Sequence, residues 1–184
     1  ATAVAHPDSF YIGVRPDSWS SRTGELAGFE IQAVDWQQKL AGGQNLHAET
    51  HGAFTGEVSG GMLAEVGCQW VLAGHSERRQ LMGETDAVVA AKLRAALRDG
   101  LTPVVCVGET LAEREASRTE EVLVRQVTVA YHGLDAEQAR ATVVAYEPVW
   151  AIGTGKVASP GQARDAHRVI RATLDRVVGA GAGG

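Results

Sequence analysis

Long apolar runs are missing from this chain. No stretch reaches the roughly 18 residues of a membrane span, and the first residues lack the basic-then-apolar order of a secretory leader. A cytoplasmic location without membrane contact is the expectation that follows. Cysteine is equally scarce: Cys68 and Cys106 are too few for a disulfide framework, and each lies in or beside an apolar run, so both are expected as reduced thiols. Blocks of like charge are absent too. The formal net charge of -5 offers no attraction to nucleic acid or to an anionic membrane. The expected partner is a small molecule.

What is present suits one folded enzyme domain, with 45% apolar and 21% charged residues. Strand-like runs at residues 71–73, 103–107 and 143–146 alternate with helical patterns, and that alternation predicts a parallel sheet covered by helices. Between residues 84 and 97 the apolar Val89, Leu93 and Ala96 share one helical face, and Gly100 supplies a stop. Residues 119–130 repeat the pattern with Val122 and Val127. Ala163, Ala166, Ile170, Leu174 and Val177 line a last helix whose arginines and aspartates turn outward. Nearer the start, residues 2–7 are a candidate strand. Residues 29–34 and 40–45 compete for the next strand, and the run from Leu40 is preferred.

The densest information lies in Ala145-Tyr146-Glu147-Pro148-Val149-Trp150-Ala151-Ile152-Gly153-Thr154-Gly155-Lys156. Residues 141–146 are apolar and β-branched enough for a strand buried on both faces, and Pro148 blocks its continuation. Glu147 is thereby placed at the strand's C-terminal mouth. Ser159, Pro160 and Gln162 then read as N-cap, first helical residue and capping-box partner of the next helix. A second passage has the same form: the strand 69–73 followed by Gly74-His75-Ser76-Glu77-Arg78-Arg79.

These two passages, together with Gly52-Ala53-Phe54-Thr55-Gly56-Glu57 and Cys106-Val107-Gly108-Glu109, closely resemble the triosephosphate isomerase family, in the family's order. The likeness runs from about residue 43 to about residue 178, while the first forty or so residues match poorly. The resemblance implies a TIM (β/α)8-barrel fold. Such a barrel takes roughly 200 residues at the least and typically about 250, against 184 here. The family's opening strand with its Asn-x-Lys motif and its two last strands, which hold the substrate phosphate, are not found. The expectation is a single partial domain over residues 1–184 corresponding to strands two to six, with about five parallel strands and a flexible tail at 179–184.

The same resemblance implies a reaction: interconversion of dihydroxyacetone phosphate and D-glyceraldehyde 3-phosphate through an enediolate, with neither metal nor organic cofactor. Glu147 is assigned as the base that removes the proton beside the carbonyl, and His75 as the neutral electrophile that polarises that carbonyl. Ser76, Glu77 and Cys106 are placed next to this pair. Gly153 offers a backbone N–H to the phosphate, and Pro148, Val149, Trp150, Ala151, Ile152, Thr154, Gly155 and Lys156 complete the lid. Thr55 resembles the residue that enters a neighbouring subunit's site, which implies a homodimer. The chemistry itself asks for this kind of site, because forming an enediolate needs a desolvated carboxylate near the acidic carbon and donors facing the growing oxyanion.

Plainer readings compete. By pattern alone Glu147 serves equally well as a solvated strand-end carboxylate, His75 as a capping histidine, and Glu77 with Arg79 as an exposed ion pair. His47-Ala48-Glu49-Thr50-His51 does not have the His-Glu-x-x-His arrangement of a zinc motif, and no third ligand is evident. Gly153-Thr154-Gly155-Lys156 lacks the P-loop's first glycine, whose place is taken by Trp150. Losing a charge-stabilising group such as the missing lysine costs about 2.7–4 kcal/mol, so an impaired or inactive fragment that folds by association is the alternative expectation.

Overall fold

In the computed structural model the described residues are 11–16, 29–34, 40–152, 154 and 156–182. The elements in chain order begin with strands β1 (Tyr11–Pro16), β2 (Phe29–Val34) and β3 (Leu40–Gly43), then helix α1 (Gly60–Glu65) and strand β4 (Trp70–Ala73). Helices α2 (Ser76–Leu81) and α3 (Asp86–Arg98) lead to β5 (Thr102–Val107). Helices α4 (Leu111–Glu115), α5 (Thr119–Tyr131) and α6 (Ala136–Arg140) precede β6 (Val143–Tyr146), and α7 (Pro160–Val177) closes the series.

The six strands among the described residues form one sheet in the order β1-β2-β3-β4-β5-β6. From β3 to β6 the pairing is parallel, each crossover passing through helices, while β1, β2 and β3 pair antiparallel. The parallel run is therefore four strands where the sequence suggested about five. Residues 29–34 and 40–43 do not exclude one another: both are strands, and the later one makes the parallel pairing with β4. Five residues separate β2 from β3, and a parallel crossover needs about a dozen or more, so only the antiparallel return is open to them. The candidate strand at residues 2–7 lies outside the described residues.

The two faces of the sheet differ. Strand alternation directs Ala73, Val105 and Val107 towards the helices, where they join Val89 and Leu93 of α3, Leu123 and Val127 of α5, and Ile170 and Leu174 of α7 in a buried core, while Val71 packs with Ala95 and Ala96 of α3 in a second, smaller cluster. Burying each of these larger side chains is worth about 1.5–3 kcal/mol, enough to set the helix faces. The stripe read on the last helix is seen at its centre: Ala166, Ile170 and Leu174 are buried, joined by Thr173, while Ala163 and Val177 at its ends are only half-buried. Ser159, Pro160 and Gln162 form the expected capping box and N-terminal proline of α7.

β5 is covered along most of its length, with Val105, Cys106 and Val107 all buried. β6 is not. It ends the sheet, and Val143 is 41% exposed, which corrects the expectation of a strand buried on both faces. Its composition suits a covered strand, but no seventh strand lies beyond it among the described residues. In the C-terminal segment, Ala182 is packed into the core beside α7.

Candidate active site

Three strands end on polar residues at the same rim of the sheet. β4 ends at Gly74-His75, β5 at Gly108-Glu109 and β6 at Glu147. Parallel pairing puts these C-terminal ends side by side, and the period of two decides which face each side chain takes. Cys106 pairs with Ala145 and Val107 with Tyr146, so Glu147 follows Cys106 onto the face without helices. Glu109 and Tyr146 fall on the helix-covered face.

Gly74 makes the exit from β4. Its φ of 77° suits glycine, and a Cβ there would lie 2.7 Å from the Val89 side chain. The turn delivers His75 as the N-cap of α2, its Nδ1 accepting the Glu77 N–H at 3.3 Å. With Nδ1 an acceptor, the ring proton belongs to Nε2. Nε2 lies 2.8 Å from Glu147 Oε1 and donates to it.

The Glu147 carboxylate accepts two further bonds, from the Ser76 N–H to Oε2 at 2.9 Å and from Ser76 Oγ to Oε1 at 2.9 Å. Its side chain is 14% exposed and that of His75 31%, so the pair is partly open to solvent. Cys106 lies close beneath: burial and the nearby Glu147 carboxylate push its thiol up to about 12, with the Arg79 charge pulling the other way. Such a thiol stays protonated and unreactive.

Arg79 is the structural tie of the rim. Its Nε donates to Gly74 O at 2.7 Å, Nη2 to Cys106 O at 3.1 Å, and Nη1 to Asp86 at 2.7 Å, so one guanidinium joins the ends of β4 and β5 to the start of α3. Glu77 is exposed and contributes its backbone N–H to His75. The pairing of Glu77 with Arg79 weighed from sequence gives way to the Arg79–Asp86 pair.

The segment after Glu147 is held down on the opposite face. Val149–Ala151 is one 3-10 turn, and the buried Trp150 donates its indole N–H to Glu109 Oε1 at 2.8 Å. Glu109 is 0% exposed and also accepts from Tyr146 OH at 3.0 Å and Arg114 Nη1 at 3.0 Å. Arg114 lies 4.6 Å from the Trp150 ring centroid. Burial and the Glu109 carboxylate raise the Tyr146 phenol, which stays a donor. Pro148 provides the turn, Ile152 faces outward, Thr154 Oγ1 donates to the Trp150 carbonyl at 2.7 Å, and the Lys156 N–H donates to Thr154 Oγ1 at 3.2 Å. Gly153 and Gly155 lie outside the described residues.

The structure thus brings together Glu147, His75, Ser76 and Cys106, and connects Trp150 to them through the β6 exit. Thr55 stays on the exposed loop between β3 and α1, beyond the hydrogen bonds of the pair. Glu109, Tyr146 and Arg114 were not singled out from sequence. The signal for Glu109 was available, since it ends an apolar strand run just as Glu147 does. Among the described residues no group of three His, Cys, Asp or Glu is arranged to hold a metal ion, and His47 and His51 lie in a loop.

Fold and site define the class as an incomplete parallel α/β barrel with an imidazole–carboxylate pair at its strand ends. The family model for triosephosphate isomerase matches residues 27–183. The triosephosphate isomerase of Rhodopirellula baltica is 59% identical over 136 residues, which are 74% of this chain and 54% of that protein. That of Moorella thermoacetica is 58% identical over 149 residues, 81% of this chain and 60% of the relative. That of Magnetococcus marinus is 56% identical over 141 residues, 76% and 55% respectively. The chain belongs to the triosephosphate isomerase family, and its match spans a little over half the length of these relatives.

Proposed function

We propose that this site interconverts dihydroxyacetone phosphate and D-glyceraldehyde 3-phosphate. The observation that carries the proposal is the contact of His75 Nε2 with Glu147 at 2.8 Å, on a ring whose Nδ1 is occupied by the Glu77 N–H. The Glu147 carboxylate takes the proton from the carbon beside the carbonyl, and the His75 Nε2–H bonds the carbonyl oxygen as charge grows there. The Glu147 carboxyl returns its proton to the neighbouring carbon, while the hydroxyl proton passes from the adjacent oxygen to the former carbonyl oxygen beside His75 Nε2, so no proton or electron is gained or lost overall. The proposed step draws on side chains alone and requires no metal or cofactor.

Residues 148–156 act in this reading as the lid, the Gly153 N–H meeting the phosphate and closure excluding the water that would protonate the intermediate. Glu77, Ser76 and Cys106 support the pair from below. A homodimer with Thr55 reaching the neighbouring copy, a cytoplasmic location and a single partial domain belong to the same proposal. Exposed Phe54, Val58 and Met62 beside Thr55 support the dimer. No described helix is long and apolar enough to cross a membrane.

A second reading has its own support. The half-exposed edge strand β6 favours a non-catalytic piece that folds by association with another chain. Isomerisation of triose phosphates by the purified chain, with Glu147→Gln prepared identically, separates the two. Turnover abolished in the variant supports the isomerase; equal turnover in both preparations refutes the assignment of Glu147. A soluble but inactive chain favours the second reading.

A further inference from the structure

Gln126, near the middle of α5, is 5% exposed and lies in the core of the molecule. A buried amide is costly unless its groups are bonded, and both of its groups go to one residue. Its Oε1 accepts the Gly108 N–H at 2.8 Å, and its Nε2 donates to the Gly108 carbonyl at 3.3 Å. Gly108 is the first residue beyond β5, where the sheet ladder no longer supplies partners. The side chain acts there as a one-residue strand neighbour.

The backbone of Glu147 also lies against Gly108. A Cβ on Gly108 would overlap the Glu147 carbonyl oxygen and lie 2.6 Å from its carbonyl carbon. On either side, the Glu147 N–H donates to Val107 O at 2.7 Å and the Val149 N–H to Glu109 O at 3.1 Å. Residues 107–109 are thus the seat on which 147–149 rest, and Gln126 holds the middle of that seat at both of its polar groups.

We infer that Gln126 is a positioning residue for the Glu147 carboxylate, acting through Gly108. Its relevance to turnover rests on the isomerase reading above; its control of where Glu147 lies does not. The amide fixes the plane and height of the Gly108 peptide, the glycine fixes the Glu147 backbone, and the carboxylate reaches Ser76 and His75 only from that backbone position. A misplacement of about 1 Å in such a site costs roughly a hundredfold in rate.

The test is amide NMR on the full chain and on Gln126→Leu, which keeps the volume and removes both bonds. The Ser76 amide, which donates to Glu147, reports the carboxylate's position. In the variant its proton is expected to move upfield, with exchange at Gly108 and Glu147 faster by tenfold or more, while amides of α3 and β4 keep their protection. An unmoved Ser76 amide in a folded variant overturns the inference. Should the variant not fold, exchange in the unsubstituted chain decides: Gly108 and Glu147 are expected to open together, with protection factors within about threefold. A Gly108 amide exchanging more than tenfold faster than Glu147 overturns the inference. In the presence of isomerase activity, Gln126→Leu is expected to lower kcat roughly a hundredfold with KM within about threefold, since the carboxylate, and not the phosphate contacts, is displaced. Lack of turnover in the unsubstituted chain would count against the isomerase reading, and the amide measurements would still decide the role of Gln126.

Discussion

Replacing Glu109 by leucine should unlatch the segment after Glu147 and weaken the whole fold. The carboxylate is fully buried and receives the Trp150 indole, the Tyr146 hydroxyl and Arg114. Leucine fills much of the same space but accepts nothing, so the buried Trp150 indole loses its partner at about 1–3 kcal/mol and the half-buried Tyr146 hydroxyl at less. Breaking a buried ion pair by removing one member costs about 3–5 kcal/mol. The Arg114 side chain is 26% exposed and recovers water, which places the expected loss near the lower end, about 3 kcal/mol. With a denaturant slope of about 1–3 kcal/mol per molar urea, the midpoint should fall by roughly 1–3 M. Urea unfolding followed by tryptophan fluorescence and circular dichroism measures this. A midpoint within about 0.3 M of the parent would refute the view that Glu109 anchors Trp150 and Tyr146.

Other expectations follow from single contacts. Cys106, held up to about 12 and 4% exposed, should resist iodoacetamide at pH 8 in the native chain and react once urea unfolds it; rapid native alkylation would contradict its placement. Burial pushes the Glu84 carboxyl up, but hydrogen bonds and charges from Lys92 and Arg78 outweigh this and hold it below its ordinary 4.5. Its contribution is therefore present above that value and lost as pH falls through the depressed one. The acid limb of a stability–pH curve should accordingly flatten in Glu84→Gln, and an identical limb would remove Glu84 from the account. Ser159→Ala removes the cap bond to Gln162 and should cost about 1 kcal/mol in thermal or urea unfolding. No change there would mean that α7 is held by packing alone.

Much of this architecture was legible because its signals are local. The capping box of Ser159 and Gln162, the periodicity of Val89, Leu93 and Ala96, and the carboxylate closing the 143–146 run depend on a few neighbouring residues, and each appears as read. The direction of β2 was not legible, since residues 29–34 have strand composition whichever way they pair. Connection length decides that, and it requires knowing that both runs are strands. The exposure of β6 was missed for a related reason: composition reports what a strand suits, and a sheet edge is a property of what lies next to it.

Within the candidate site, sequence named His75, Ser76 and Glu147 but could not show that Ser76 would engage the carboxylate through both its amide and its hydroxyl. Such a bond depends on β4 and β6 ending level, two strands apart. Gln126 escaped for the opposite reason. It looks like an ordinary polar residue in a helix until burial leaves it with partners that only it can satisfy, whereas Glu109 carries a readable signal at its strand end, one that does not extend to its partners.

The three donors on Glu147 also set terms for any ligand. The Glu147 carboxylate rests on Ser76 and His75, and a molecule that reaches the pair and needs the carboxylate free must favour the released form by more than those bonds hold the resting one. A carbonyl oxygen that draws the His75 Nε2–H to itself does two things at once: it becomes polarised, and it removes one of the tethers on the base. An apolar occupant of the same shape would do neither. Selectivity for carbonyl compounds would then be written into the unliganded state as a competition for one proton, before any contact with the rest of the ligand is counted.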